Sequence, residues 1–219
     1  MSIRIAFALV TSFVLFTDGA AAQAFGFGAR IGTLGVGGEL AVGLGEQVVA
    51  RAGIGWNPWE PETSLDEIDV TAKLPTWYSA GLDLYLNGAL RLGAGVLLKP
   101  DDPTLSAVFT QNQEIGGQTF TPQEIGTLVG VVDSKDHVPY VLVGFGKHTA
   151  AGSGLFLDIG VAFMGEPDFQ LDAVDGSLSS QSGPLRDALD DEEQRFEDDA
   201  GAYLRFWPIL NLGFRIGVG

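Results

Sequence analysis

The chain has 219 residues, 31 of them Gly and none Cys, and a formal net charge of −16. That length allows one domain with a sizeable core. The lack of Cys excludes a disulfide scaffold and a thiolate metal site, and the acidity argues against a basic nucleic-acid-binding surface. Mean hydropathy is nonetheless +0.21, so acidic and apolar residues must be segregated along the chain.

The N-terminus reads as a secretory signal. Arg4 supplies a positive start, Ile5 to Phe16 is an uncharged apolar run, and Ala20 and Ala22 stand at the small-residue positions of a cleavage site. The run is shorter than the roughly twenty residues that a spanning helix needs. A cleaved signal peptide over 1–22 and a mature domain over 23–219 are therefore expected. Every later apolar run is broken by Gly or a charge, so membrane contact would have to come from β-strands.

Strand patterning begins at once. Phe25, Phe27, Ala29 and Ile31 alternate with small residues and Arg30. Period two places successive side chains on opposite faces. After a Gly-flanked turn at 32–34, Leu34, Val36, Leu40, Val42 and Leu44 share one parity, with Glu39 on the other. A short turn at 45–47 leads to Val48–Trp56, where Ile54 and Trp56 oppose Arg51, Gly53 and Gly55. Prolines at 58 and 61 end that strand, and an acidic loop runs to about residue 75.

Trp77–Leu86 follows, with Ala80, Leu82, Leu84 and Leu86 on one parity and Asp83 and Tyr85 on the other. Asn87-Gly88 is a strong hairpin signal. Leu90–Lys99 returns, with Arg91, Gly93 and Gly95 opposite its leucines. A long excursion over 100–136 is expected to hold a small hairpin pairing Leu105–Thr110 with Gln118–Thr121. Val138–Lys147 is the sixth strand, the turn at 148–153 is small-residue, and Gly154–Phe163 is the seventh. In the seventh, Leu155, Leu157, Ile159, Val161 and Phe163 form one apolar face, opposite Gly, Ala and Asp158. The excursion 166–204 contains a helical stretch, Pro184 to Tyr203, with Pro at its start. Phe206–Val218 closes the chain, with Arg215 and Asn211 opposite its apolar parity.

Eight strands with alternating short and long connections predict an all-β fold: an eight-stranded antiparallel transmembrane β-barrel with one short helix in the last extracellular loop. With both termini periplasmic, the three long loops lie outside. Segments 58–75, 100–136 and 166–199 together carry −19, so the acidity lies in those loops. Trp56, Trp77, Tyr78, Phe163, Phe206 and Trp207 fall at the outer strand ends and are expected to form an interfacial girdle.

Within the strand cores no charge falls on the apolar parity; the inward charges are Arg30, Glu39, Arg51, Asp83, Arg91, Asp158 and Arg215. A buried charge must be paired, so a barrel-interior charge network is expected. Its pairs should be Glu39 with Arg51, Asp83 with Arg91, and Asp158 with Arg215. No catalytic, cofactor-binding or metal-ligating residue is expected. His137 and His148 lie at opposite ends of one strand and cannot share a metal. His137, with Ser134 and Asp136, is the one arrangement an outer-leaflet lipid-modifying enzyme would use. The Gly-rich stretch 32–38 has no following helix and is not a phosphate loop. The acidic helix is expected to be a solvated face; diffuse binding of divalent cations that bridge it to lipopolysaccharide phosphates is the sharper reading.

The stretches 32–40, 78–85, 91–96, 139–146, 154–167 and 207–213 resemble small bacterial outer-membrane β-barrel proteins, related broadly to the OmpA-like and OmpW-like barrels. The resemblance covers nearly the whole mature chain. Val218-Gly219 stands where that family carries a terminal aromatic read by the barrel-assembly machinery. The resemblance implies an integral protein of the outer membrane of a Gram-negative bacterium, with outer-membrane lipid, lipopolysaccharide and the assembly machinery as partners. The expected role is membrane-structural or surface interaction, without catalysis, cofactor or nucleic acid. A narrow porin-like channel, a lipid-modifying enzyme and an inside-out, lipocalin-like soluble barrel are the rivals.

Overall fold

The computed structural model describes residues 24–65, 68–178 and 182–218. The expected signal peptide lies outside the described residues. Eight strands close a barrel: β1 (Phe25–Gly32), β2 (Gly35–Gly43), β3 (Val48–Trp56), β6 (Trp77–Asn87), β7 (Leu90–Leu98), β12 (His137–Phe145), β13 (Gly152–Phe163) and β15 (Phe206–Val218). Each pairs antiparallel with its neighbours in chain order, and β1 closes on β15. The expected fold is therefore present, with boundaries shifted by at most two residues. Asn87-Gly88 forms the β6–β7 turn, with Gly88 at φ 56°.

The outer face of the barrel is apolar. Phe27, Ile31, Leu40, Leu82, Leu155, Leu212 and Ile216 are each more than half exposed. The seven strand charges are all buried. A soluble protein does not clothe itself in such a surface, whereas lipid accommodates it. Among the described residues no helix is long and apolar enough to cross a membrane.

The long loops are not loose. A second sheet joins β14 (Asp168–Asp175), β11 (Gly126–Asp133), β8 (Thr104–Phe109), β5 (Ile68–Lys73) and β4 (Glu62–Leu65), in that order. The first four continue barrel strands β13, β12, β7 and β6, which lie side by side in the same order. Half of the barrel wall thus runs on beyond the rim as a second sheet. The expected hairpin is corrected here. β8 pairs with β11 and β5, while β10 (Gln118–Phe120) pairs with β9 (Gln113–Ile115). A β8 strand flanked on both edges leaves no edge for 118–121.

Two helices complete this region: α1 (Pro122–Ile125) and α2 (Pro184–Leu204). α1 is set by a capping box, Thr121 with Glu124. α2 starts at Pro184 after Gly183 at φ 92°. Its Leu185, Ala188 and Leu189, spaced to fall on one face, pack on Phe169, Leu171 and Ala173 of β14 and on Ile115, Phe120 and Ile125. Phe196 stacks on Phe169 with ring centroids 4.1 Å apart.

The acidic helix also has a specific task. β14 ends its sheet, so one of its edges lacks a strand partner. Glu197 accepts the Phe169 N–H at 3.1 Å and Glu193 accepts the Leu171 N–H at 2.6 Å. Arg186 donates to the Leu171 carbonyl at 2.9 Å. Partial burial works against the Arg186 charge, but hydrogen bonds to Glu193 and Asp190 outweigh it and raise its pKa.

Candidate functional site

The lumen is where the strands concentrate polar chemistry. Diagonal cross-strand neighbours lie within reach of long side chains, and two of the expected pairs meet this way. Ala41 faces Arg51 and Glu39 faces Gly53, which brings Arg51 Nη1 to 3.3 Å from Glu39. Tyr85 faces Arg91 and Asp83 faces Gly93, which brings Arg91 Nη1 to 2.8 Å from Asp83.

Contacts across the lumen join these pairs. Arg51 Nε lies 2.8 Å from Asp83, and its Nη1 lies 3.0 Å from Asp158. Arg91 Nη2 also pairs with Asp158. Asp83 and Asp158 are each held between two guanidinium groups. The Arg91 group lies flat over Gly144, where a Cβ would stand 2.3 Å from Cζ.

Asp158 does not pair with Arg215. In the β13–β15 register Asp158 faces Asn211 and Arg215 faces Gly154. Four residues of strand separate them, roughly 13 Å at about 3.3 Å per residue. Arg215 instead donates to the Ala150 carbonyl and, at 3.1 Å, to the Gly152 carbonyl. Arg30 makes one side-chain hydrogen bond, to Ser79 Oγ at 3.5 Å.

His148 belongs to this cluster, although nothing in its sequence context marked it. The β12–β13 turn folds into the barrel end. His148 Nε2 lies 2.7 Å from Glu39. The Tyr85 hydroxyl accepts the His148 backbone N–H at 2.9 Å and contacts its Nδ1 at 3.2 Å. Gly26 admits the turn, since a Cβ there would lie 1.9 Å from the His148 carbonyl oxygen. Tyr85 was legible, because it shares the inward parity of Asp83. His148 was not, because a turn has no parity.

The other end is closed by apolar side chains. Trp77 is fully buried and packs on Trp207 with centroids 5.4 Å apart, beside Leu34, Leu97, Val138, Met164 and Ile209. Trp77 and Trp207 are therefore lumen stoppers, not girdle residues. Trp56, Tyr78, Phe163 and Phe206 do face outward. Leu34 is likewise inside, because it sits in the turn before Gly35 (φ 81°), where the alternation does not extend. At this rim Lys99 is buried, paired with Asp102 and donating to the Ser134 carbonyl at 3.0 Å.

Between the two closures lies a cavity of about 10 Å³, lined by Arg30, Ser79, Tyr140, Asp158 and Asn211 among others. That is room for about one water. His137 is exposed while Ser134 is buried, with no partner for the Ser134 hydroxyl. Among the described residues no group of three or more His, Asp or Glu is arranged to hold a metal ion.

Fold and lumen define a closed eight-stranded barrel of the outer-membrane type, filled by its own side chains. No protein-family model matches the chain, and no curated protein matches it. Among solved structures it is similar to CarO2 of Acinetobacter baumannii, at 20% identity and a TM-score of 0.60, over 89% of this chain and 98% of that one. CarO of the same organism is similar at 19% identity and a TM-score of 0.59, over 87% and 96%. A major outer membrane protein from Thermus thermophilus gives 13% identity and a TM-score of 0.41, over 90% and 100%. At these identities the two CarO structures establish the fold that the chain shares.

Proposed function

We propose that the chain is an integral outer-membrane barrel with a membrane-structural or surface-interaction role, its lumen closed by ion pairs and its second sheet presented outside the cell. One observation carries this reading: all seven strand charges are buried while the outward positions of the same strands are apolar. Lipid and lipopolysaccharide are the partners such a surface fits, and the barrel-assembly machinery the route by which it is inserted. Residues 1–22 act as the cleaved export signal in this reading, and both termini face the periplasm. Fractionation tests it: the protein should stay with outer membranes through carbonate and high-salt washes and be released by detergent. Release without detergent overturns the proposal. Protease added to intact cells should cut within 57–76, 99–136 or 164–205 and leave the barrel strands whole.

A narrow channel is the second reading, favoured by the polar groups that run along the lumen from Arg215 through Glu39 and Asp158 to Arg30. The plug reading expects silence in planar bilayers; reproducible conductance steps favour the channel. The separation of exposed His137 from buried Ser134 supports a non-catalytic role.

A further inference from the structure

The lumen's charges do not balance. Among the described residues four buried arginines, Arg30, Arg51, Arg91 and Arg215, face three buried carboxylates, Glu39, Asp83 and Asp158. At least one positive charge is in excess, whichever state the His148 imidazole takes. Arg51 and Arg91 share all three carboxylates. Arg215 is met by the Ala150 and Gly152 carbonyls at the barrel end. The excess falls on Arg30, which is 6% exposed, has only Ser79 Oγ at 3.5 Å, and keeps an Nε without a partner. An uncompensated buried charge is among the costliest things a fold can contain.

A second group points to the same place. Asn211 is 1% exposed, and neither its amide nitrogen nor its oxygen has a protein partner. Arg30 and Asn211 both line the cavity of about 10 Å³. Two donor-bearing side chains thus converge on a hole the size of one small particle. The carboxylates on its wall, Glu39 and Asp158, are turned to Arg51, whose Nη1 lies 3.3 Å and 3.0 Å from them. The donors left over are those of Arg30 and Asn211, with the Tyr140 and Ser79 hydroxyls on the same wall.

We propose that Arg30 and Asn211 bind one monatomic anion of chloride size inside the barrel, neutralising the lumen's excess charge. A cation would add to that excess, and a water would fill the space but leave the charge unmet. A polyatomic anion such as sulfate is too large. The site does not depend on whether the barrel conducts or on which membrane holds it.

The test uses the purified full barrel in zwitterionic detergent, melted in sodium chloride and in sodium gluconate at equal ionic strength. The expected result is a higher Tm in chloride, by a few degrees, that saturates with chloride concentration as mass action requires. Asn211→Asp places a carboxylate beside Arg30 and should raise the Tm in gluconate and abolish the chloride response. Chloride-35 line broadening by the wild type, competed by bromide, reads binding without any variant. Equal melting in both salts, a response that climbs without saturating, or an Asn211→Asp barrel with the full chloride response each overturns the proposal. So does an absence of chloride-35 broadening.

Discussion

Replacing Arg91 by Ala is the sharpest probe of the lumen. The side chain is fully buried, 2.8 Å from Asp83 and paired with Asp158, and donates to the Gly146 carbonyl at 3.4 Å. Removing one partner of a buried pair leaves the other charge uncompensated, at about 3–5 kcal/mol. Arg51 remains to hold both carboxylates, at 2.8 Å and 3.0 Å, so the lower end of that range, about 3 kcal/mol, is expected. At about 2–4 °C per kcal/mol for a chain of this size, the midpoint should fall by roughly 6–12 °C. Circular-dichroism melting in detergent, with heat-dependent gel mobility as an independent readout, measures it. The double variant with Asp158→Ala should cost less than the two single changes together, by more than about 1 kcal/mol. A midpoint within about 2 °C of wild type, which is less than 1 kcal/mol, would refute the network's role. So would additivity within about 0.5 kcal/mol.

Other expectations follow from the same geometry. Gly144→Ala puts a methyl 2.3 Å from the Arg91 guanidinium carbon and should cost about 1–3 kcal/mol. Most of that cost should vanish in the Arg91→Ala background, and an equal cost in both means the contact is not the cause. Phe169→Ala removes a ring stacked on Phe196 at 4.1 Å and should loosen the outer sheet by about 3–5 kcal/mol. Limited proteolysis should then cut α2 while the barrel midpoint stays put; a matching drop in barrel stability would contradict the division between them. Glu124 accepts the Thr121 N–H and hydroxyl, and those bonds lower its pKa. A lowered folded-state pKa gives a contribution that is present above the ordinary carboxylate value and lost as pH falls through the lowered one. Exchange of the Thr121 amide should quicken over that acid window, and Glu124→Gln should flatten the dependence.

Much of the barrel was legible because its information is local. Alternation in Leu155–Phe163 or Phe206–Val218 names both faces of a strand without reference to any other strand. Glu39 with Arg51 and Asp83 with Arg91 were readable because a short turn fixes the register between adjacent strands. The same reasoning failed for Asp158 and Arg215, since a loop and a helix separate β13 from β15 and leave their register open. Trp77 and Trp207 looked like girdle residues because position along a strand is visible in sequence, whereas the turn from wall to lumen at the rim is not.

The outer sheet marks the sharper limit. β8 and β11 are short and mixed or uniformly apolar, so neither states a partner or a buried face. Their pairing depends on the barrel strands β7 and β12 bringing them side by side. The role of Glu193 and Glu197 followed only from that placement, because an acid on a helix reads as solvated until a bare sheet edge lies beside it. The sequence alone determined the strands, their faces and which charged residues turn inward, since each is a property of neighbouring residues. Tertiary structure alone decided which charges meet across the lumen, that His148 enters it and that Arg30 is left over, because those contacts depend on closure of the barrel and not on one hairpin.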